Sequence, residues 1–244
     1  MEDPTSEIVK EIARCLPIKE AYTDSVKPSA IEIGNIASDL LKVIQLALAP
    51  VQLIAAVQDR YRNFLDQSVR RVPQDQRIAP APQILGPVLE GIRYEPEGTS
   101  IDEMFSQLLS RAIDSKRVDE AHPSFPLLIK QLSRDEAVIL SKLKEQTYEY
   151  VYTSTLDQES NRFVRDSTEV DEFPSHILQY PQNLPFYMNH LSSLGLAGIY
   201  DYKNQEAIYA ERDGNRVQTG TKVFCRYLLT DIGRRFANAC TGNT

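Results

Sequence analysis

The sequence of 244 residues has no tryptophan and only ten glycines, three cysteines and three histidines. No glycine is followed by lysine, so the glycine-rich loop with which P-loop proteins hold nucleotide phosphates is absent. The cysteines are scattered and form no Cys-x-x-Cys pair, which fits a reducing cytoplasm and predicts neither disulfides nor a zinc site. The histidines also lack metal-binding spacing, since they stand at His122, His176 and His190. We therefore expect no metal and no cofactor.

Positive charge is scarce as well. The chain has 27 Lys+Arg against 34 Asp+Glu, a net charge of −7. Proteins that coat nucleic acid or anionic membrane attract phosphate with an excess of positive charge, so the acidic balance argues against both classes. The beginning of the chain, MEDPTSEIVKEIARCL, has no apolar signal core. The sequence therefore predicts a cytoplasmic protein.

The letters Asp-Glu-Ala-His at 119–122 spell the box that names one family of helicases. In such an ATPase the acidic pair ends a buried apolar strand, whereas here residues 114–117 are polar or charged and no P-loop exists. The carboxylates, His122 and Ser124 are also the residue types of a hydrolytic triad, but triad members converge from separate elements. We interpret the segment as a structural joint in which Phe125 anchors in the core and Ser124 caps the next helix.

The first half of the chain is predicted to be helical. Its segment 36–57 is apolar nearly all round, which is typical of a helix buried in a protein core or in lipid. The uncharged run 43–57 is shorter than the roughly 20 residues that span a bilayer, and Pro50 should kink the helix. We expect this segment to pack against the helix predicted at 101–112 through Leu40, Leu41, Ile44, Leu48, Val51 and Ile54. Release of the segment to a membrane on activation is the alternative.

Domain boundaries follow from changes in pattern. A helical domain at 1–130 contains a proline-rich connection at 73–87. Within this domain, the proline-rich connection is followed by a helix that begins with a predicted capping box of Ser100 and Glu103. The helix repeats apolar residues at helical spacing and should bury Ile101, Met104, Phe105, Leu108 and Ala112.

In the second half, 131–244, stretches of the chain alternate between residue types in the pattern typical of β-strands. Tyrosine-rich and β-branched residues predict a strand at 147–155, and 161–167 is expected to pair with it. A short helix ends at Gly195, Asp213-Gly214 predicts a hairpin turn, and a last helix starts at Thr230 with Ile232, Phe236 and Cys240 on one side. The order of helices and hairpin resembles a winged helix-turn-helix module. The predicted fold class is α+β, mainly helical first and winged-helix-like after 131, with an inserted β-hairpin.

Six segments between residues 19 and 240 carry a further resemblance. They are KEAYTDSVKPSAIEIG (19–34), LALAPVQL (46–53), APAPQILGPVLEGIRY (79–94), MFSQLLSRAID (104–114), HPSFPLLIKQLSRDEAVIL (122–140) and LTDIGRRFANAC (229–240). In these segments and their order, the chain resembles the bacterial abortive infection alpha (Abi-alpha) family, which is associated with phage defence. The resemblance implies a defence setting and brings no catalytic residues with it.

Two candidate surfaces belong to the second half. The exposed side of the short helix carries no lysine or arginine, unlike helices that read a DNA groove, and offers a partner Phe186, Asn189, His190 and Ser193. The hairpin after it holds a weak cationic patch of Lys203, Arg212, Arg216 and Lys222.

Three functional hypotheses follow. The first is a non-enzymatic phage-defence protein that contacts a host protein, a phage protein or a second copy of itself as a homo-oligomer. The second is a transcription regulator that binds DNA through the winged helix. The third is a toxic effector that acts on membranes through the apolar segment 36–57.

Overall fold

The computed structural model describes residues 54–157, 159–212 and 214–242. The chain divides into two units: unit 1 comprises Met1–Arg134 and Asn238–Thr244, and unit 2 comprises Asp135–Ala237. Most of the apolar segment 36–57 lies outside the described residues, and with it the predicted core positions Leu40, Leu41, Ile44, Leu48 and Val51. Ile54 begins the first described helix, but its side chain also lies outside the description.

The described part of unit 1 is helical. Helices α1 (Ile54–Arg70), α2 (Pro82–Ile92), α3 (Ser100–Ala112) and α4 (Phe125–Ile129) are joined by loops with short 3₁₀ turns at Gln74–Gln76 and Val118–Glu120. Helix α3 contacts α1, α2 and α4 and forms the centre of the core. The sequence prediction for its buried face is confirmed at Ile101, Met104, Phe105, Leu108 and Ala112.

The predicted capping box at the start of α3 is wrong by one residue. The helix begins at Ser100, so Thr99 has the extended backbone of an N-cap, and its hydroxyl accepts a hydrogen bond from the Asp102 N–H at 3.1 Å. Glu103 instead binds Arg71 through two hydrogen bonds of 2.7 and 2.8 Å. Burial alone would raise the pKa of Glu103, but the hydrogen bonds from Arg71 and Gln107 outweigh it, and the pKa is lowered.

Unit 2 contains an antiparallel sheet of five strands. The strands are β1 (Tyr148–Asp157), β2 (Arg162–Asp171), β3 (Ala197–Asp201), β4 (Glu206–Arg212) and β5 (Asn215–Leu229). The order is β2-β1-β5-β3. β3 and β4 lie on the same side of β5: β3 pairs with residues 225–229 of that strand, and β4 pairs with residues 215–222. Helix α5 (Arg134–Glu145) precedes the sheet, α6 (Leu184–Ser193) lies between β2 and β3, and α7 (Asp231–Cys240) follows it.

The prediction of a winged-helix-like second half is wrong, although the chain is α+β. The first hairpin, β1–β2, is not an insertion, because β1 pairs with β5 from Tyr148↔Tyr227 to Thr155↔Gly220. This pairing makes the 15-residue β5 the central strand of a sheet instead of one arm of a small wing. Both predicted strands and the hairpin turn exist, and Gly195 and Gly214 have the positive φ angles of 69° and 76° that glycine adopts most easily.

The start of α7 packs its backbone against the end of α6. Thr230 donates from its N–H to the Leu196 carbonyl at 3.0 Å and accepts from the Gly233 N–H at 2.9 Å. A Cβ atom on Gly233 would lie only 1.7 Å from the Leu196 carbonyl oxygen. The prediction that Ile232, Phe236 and Cys240 lie on one side of this helix is wrong for Ile232, which is 59% exposed, whereas Phe236 and Cys240 are fully buried.

We expect Gly233→Ala to lower the free energy of unfolding by about 1–3 kcal/mol, because the added methyl group forces two backbone segments apart. Denaturant unfolding followed by circular dichroism measures the change. The matched control is Gly86→Ala in α2, where a Cβ meets no atom within 4 Å. That change should raise stability by about 0.5–1 kcal/mol, since alanine is the better helix former. Equal effects of the two substitutions would contradict the close packing of α7.

Candidate functional site

Helix α6 divides into a buried side and an exposed side. Its core residues are Leu184, Tyr187, Met188 and Leu191. On the other side Phe186 is 67% exposed, and Asn189 and Ser193 are exposed beside the half-buried His190. The four residues that the sequence offered as a partner-binding surface, Phe186, Asn189, His190 and Ser193, therefore lie on one side of this helix.

One residue on the exposed side of α6, His190, contacts a buried carboxylate. His190 Nδ1 lies 2.6 Å from Oε1 of Glu136, whose side chain is only 3% exposed. The Phe186 ring stacks on the His190 ring, with centroids 6.4 Å apart and planes inclined by 17°, and it meets Tyr187 edge-on at 6.0 Å. Ser193 donates its hydroxyl hydrogen to the His190 carbonyl at 2.7 Å. These contacts hold the aromatic surface in one arrangement.

A second buried carboxylate, Asp135, positions the chain that enters α6. It accepts hydrogen bonds from the N–H groups of Gln179 and Tyr180, at 2.8 and 3.0 Å, and from the Tyr187 hydroxyl at 3.0 Å. Burial raises the pKa of Tyr187, and the bond to Asp135 adds to the rise. The Tyr180 side chain is 49% exposed, and the backbone N–H of this residue binds the same carboxylate as the Tyr187 hydroxyl. We call Tyr180, Phe186, Asn189, His190 and Ser193 the α6 surface.

Asp135 and Glu136 occupy the first turn of α5, where the partial positive charge of the helix N-terminus favours carboxylates. Sequence reasoning missed both as parts of the site. Acidic residues at the start of a helix are usually exposed, and no local pattern shows that Tyr187 and His190, about fifty positions later, bind them.

The cations of the predicted wing do not form an open basic patch. Lys203 pairs with Glu206 at 2.8 Å, and Lys222 pairs with Glu169 at 2.5 Å. Arg216 lies 4.1 Å over the ring of Tyr209, and Arg212 is exposed at the end of β4. Carboxylates thus neutralise both lysines, and unit 2 as a whole has 11 Lys+Arg against 15 Asp+Glu. A phosphate backbone finds little free positive charge here.

The triad-like segment at 119–124 does not assemble a triad. His122 Nδ1 lies 2.8 Å from Ser124 Oγ, but Arg117 holds the Glu120 carboxylate through bonds of 2.7 and 2.8 Å. Phe125 is buried as predicted. The predicted cap is wrong, because the Ser124 side chain binds His122 and makes no capping hydrogen bond to α4.

The described residues contain no group of three or more His, Cys, Asp or Glu side chains that could hold a metal ion. No helix in this part of the chain is long and apolar enough to cross a membrane. The Cys225 thiol is buried beside Asp201, and desolvation together with that carboxylate raises its pKa to about 12. Cys225 is therefore a poor nucleophile at neutral pH.

A family model described as abortive infection alpha matches residues 54–240, which include helices of unit 1, the sheet of unit 2 and the α6 surface. No curated protein and no solved structure gives a match. The match covers most of the chain and confirms the family predicted from the sequence. The chain belongs to the abortive infection alpha family, and this membership supports a general role in phage defence.

Proposed function

We propose that this member of the abortive infection alpha family acts in phage defence by binding a protein partner through the α6 surface, without catalysing a reaction. The observation that supports this most is the exposure of Phe186, at 67%, beside His190, which the buried Glu136 carboxylate holds. A large exposed aromatic side chain loses unfavourable contact with water when a partner covers it.

The composition of the α6 surface suits a protein interface. Its helix positions include the exposed ring of Phe186 and no Lys, Arg, Asp or Glu, and Tyr180, just before the helix, is a second exposed aromatic residue. The centres of protein interfaces are depleted in charge and enriched in aromatic residues, which supply most of the binding energy. These properties favour a protein partner over nucleic acid.

The support beneath the surface lowers the entropic cost of binding. Asp135 fixes the backbone at Tyr180 and the hydroxyl of Tyr187, and Glu136 fixes His190, against which Phe186 stacks. Side chains that are already held in one rotamer lose little freedom on association. The partner therefore meets a surface that needs little rearrangement.

The chemistry of the surface favours binding over catalysis. One nitrogen of His190 is engaged by Glu136, and the hydroxyl of Ser193 donates to a backbone carbonyl. A nucleophile needs its hydrogen directed at a base, and Ser193 directs it elsewhere. The side chains of Asn189 and Phe186 supply neither a base nor a nucleophile.

A photo-crosslinking amino acid in place of Phe186, installed in the full-length chain in phage-infected cells, tests the proposal. We expect a discrete crosslinked product that position 186 yields and a control position does not. The control is Tyr94 in unit 1, which is 81% exposed. The same products from both positions, or none from position 186, would refute a specific contact at the α6 surface.

A further inference from the structure

Three strands lie at the edges of the sheet in unit 2, β3 and β4 on one side and β2 on the other. Two of them, β2 and β4, differ in how well they are protected against pairing with another strand. β2 has two register shifts against β1, which leave Asp166 and Glu169 with no opposite residue. Five of its ten residues are charged. Bulges and charges on an edge strand prevent a further strand from adding to it. β2 is a protected edge.

β4 lacks this protection. All seven of its residues are exposed, and among the described strands it pairs only with β5. The irregularity in that pairing falls on β5, where Thr219 is the extra residue, so β4 itself is regular. Its centre, Ala207-Ile208-Tyr209-Ala210, is uncharged and contains no proline. A regular, exposed and apolar edge is a site at which a strand can add.

We propose that β4 pairs in antiparallel fashion with β4 of a second copy of this chain, about a two-fold axis at Tyr209. In this register Tyr209 meets Tyr209 of the copy and Ile208 meets its Ala210. Glu206, which also pairs with Lys203 of its own chain, meets Arg212 of the copy, and the symmetry repeats that contact at the other end of the strand. Apolar residues therefore meet at the centre and opposite charges meet at both ends.

The sequence of β4 specifies this register among its neighbours. A shift of two residues in one direction places Ile208 opposite Ile208 and separates Glu206 from Arg212. A shift in the other direction places Tyr209 opposite Glu211 and Ile208 opposite Arg212. Of these three registers, only the one centred on Tyr209 keeps both the charge pairs and the apolar centre. The strand is thus complementary to itself, which favours a second copy over an unrelated extended segment.

Charge reversal at the two ends of β4 provides a matched test. Glu206→Arg places two arginines opposite each other in the dimer, and Arg212→Glu places two carboxylates opposite each other. Each single variant of the full-length chain should self-associate about tenfold or more weakly than wild type in sedimentation velocity. An equimolar mixture of the two variants should associate again, because the arginine introduced in one chain then meets the glutamate introduced in the other. Arg162→Glu on β2 is the control and should leave association unchanged.

A wild-type chain that stays monomeric at every concentration would overturn the proposal. So would single variants that associate as wild type does, or a mixture that gains nothing over the single variants. Restored association in the mixture shows at the same time that both variants are folded. Substitutions of Phe186 should not change this self-association, so the test of β4 and the test of the α6 surface give independent answers.

Discussion

Replacing Asp135 with alanine is expected to lower the free energy of unfolding by about 3–5 kcal/mol. The carboxylate is buried and accepts hydrogen bonds from two backbone N–H groups, at Gln179 and Tyr180, and from the hydroxyl of Tyr187. Alanine would remove the acceptor of a buried tyrosine hydroxyl and of two part-buried backbone N–H groups, and a donor left without a partner at such positions is unfavourable. Urea unfolding followed by circular dichroism measures the loss.

Asp231→Ala is the matched control. Asp231 also lies in the first turn of a helix, but its side chain is 93% exposed and pairs with Arg234 of the same helix. Its removal should change stability by no more than about 0.5 kcal/mol. A loss at Asp135 as small as that at Asp231 would mean that the carboxylate does not support the entry to α6.

Local patterns in the sequence predicted the elements well. Apolar residues three or four positions apart in α3 identified its buried face. This worked because α3 packs against other helices, so that the apolar side of the helix is the buried side. Alternation predicted β1 and β2, and glycines at Gly195 and Gly214 marked chain reversals that need positive φ. Each of these signals depends on neighbours within a few residues.

The topology could not be predicted in the same way. The pairing of β1 with β5 joins residues that are 65 to 79 positions apart, from Thr155 with Gly220 to Tyr148 with Tyr227. Without that pairing, β4 and β5 with the final helix resemble a small wing, and the first hairpin resembles an insertion. Strand partners depend on the whole fold, so a local likeness to a winged helix was not sufficient.

In the candidate site, too, local patterns predicted positions along one helix but not contacts between distant residues. The helical wheel separated the exposed Phe186 from the buried Met188, because both positions follow from the period of one helix. Charge alone suggested a cationic wing, yet the Lys222 ammonium binds Glu169 on a strand 53 positions earlier. Sequence shows where charged groups are, but the structure shows whether they are neutralised.

We infer that Phe186 contacts the partner through which the protein protects cells. Exposed aromatic residues at the centre of an interface contribute about 2 kcal/mol or more, and their removal weakens binding roughly thirtyfold. Because Phe186 is exposed, Phe186→Ala should leave the core of unit 2 intact. The loss should therefore affect protection and not the amount of folded protein.

The efficiency of phage plating on cells that carry wild-type, Phe186→Ala or Tyr94→Ala protein at equal levels tests this claim most directly. Tyr94 is the matched control, since it is an 81% exposed aromatic residue in the other unit. We predict that Phe186→Ala raises plating at least tenfold, toward that of cells without the protein, and that Tyr94→Ala protects as wild type does. Full protection by Phe186→Ala, or an equal loss with Tyr94→Ala, would contradict the account.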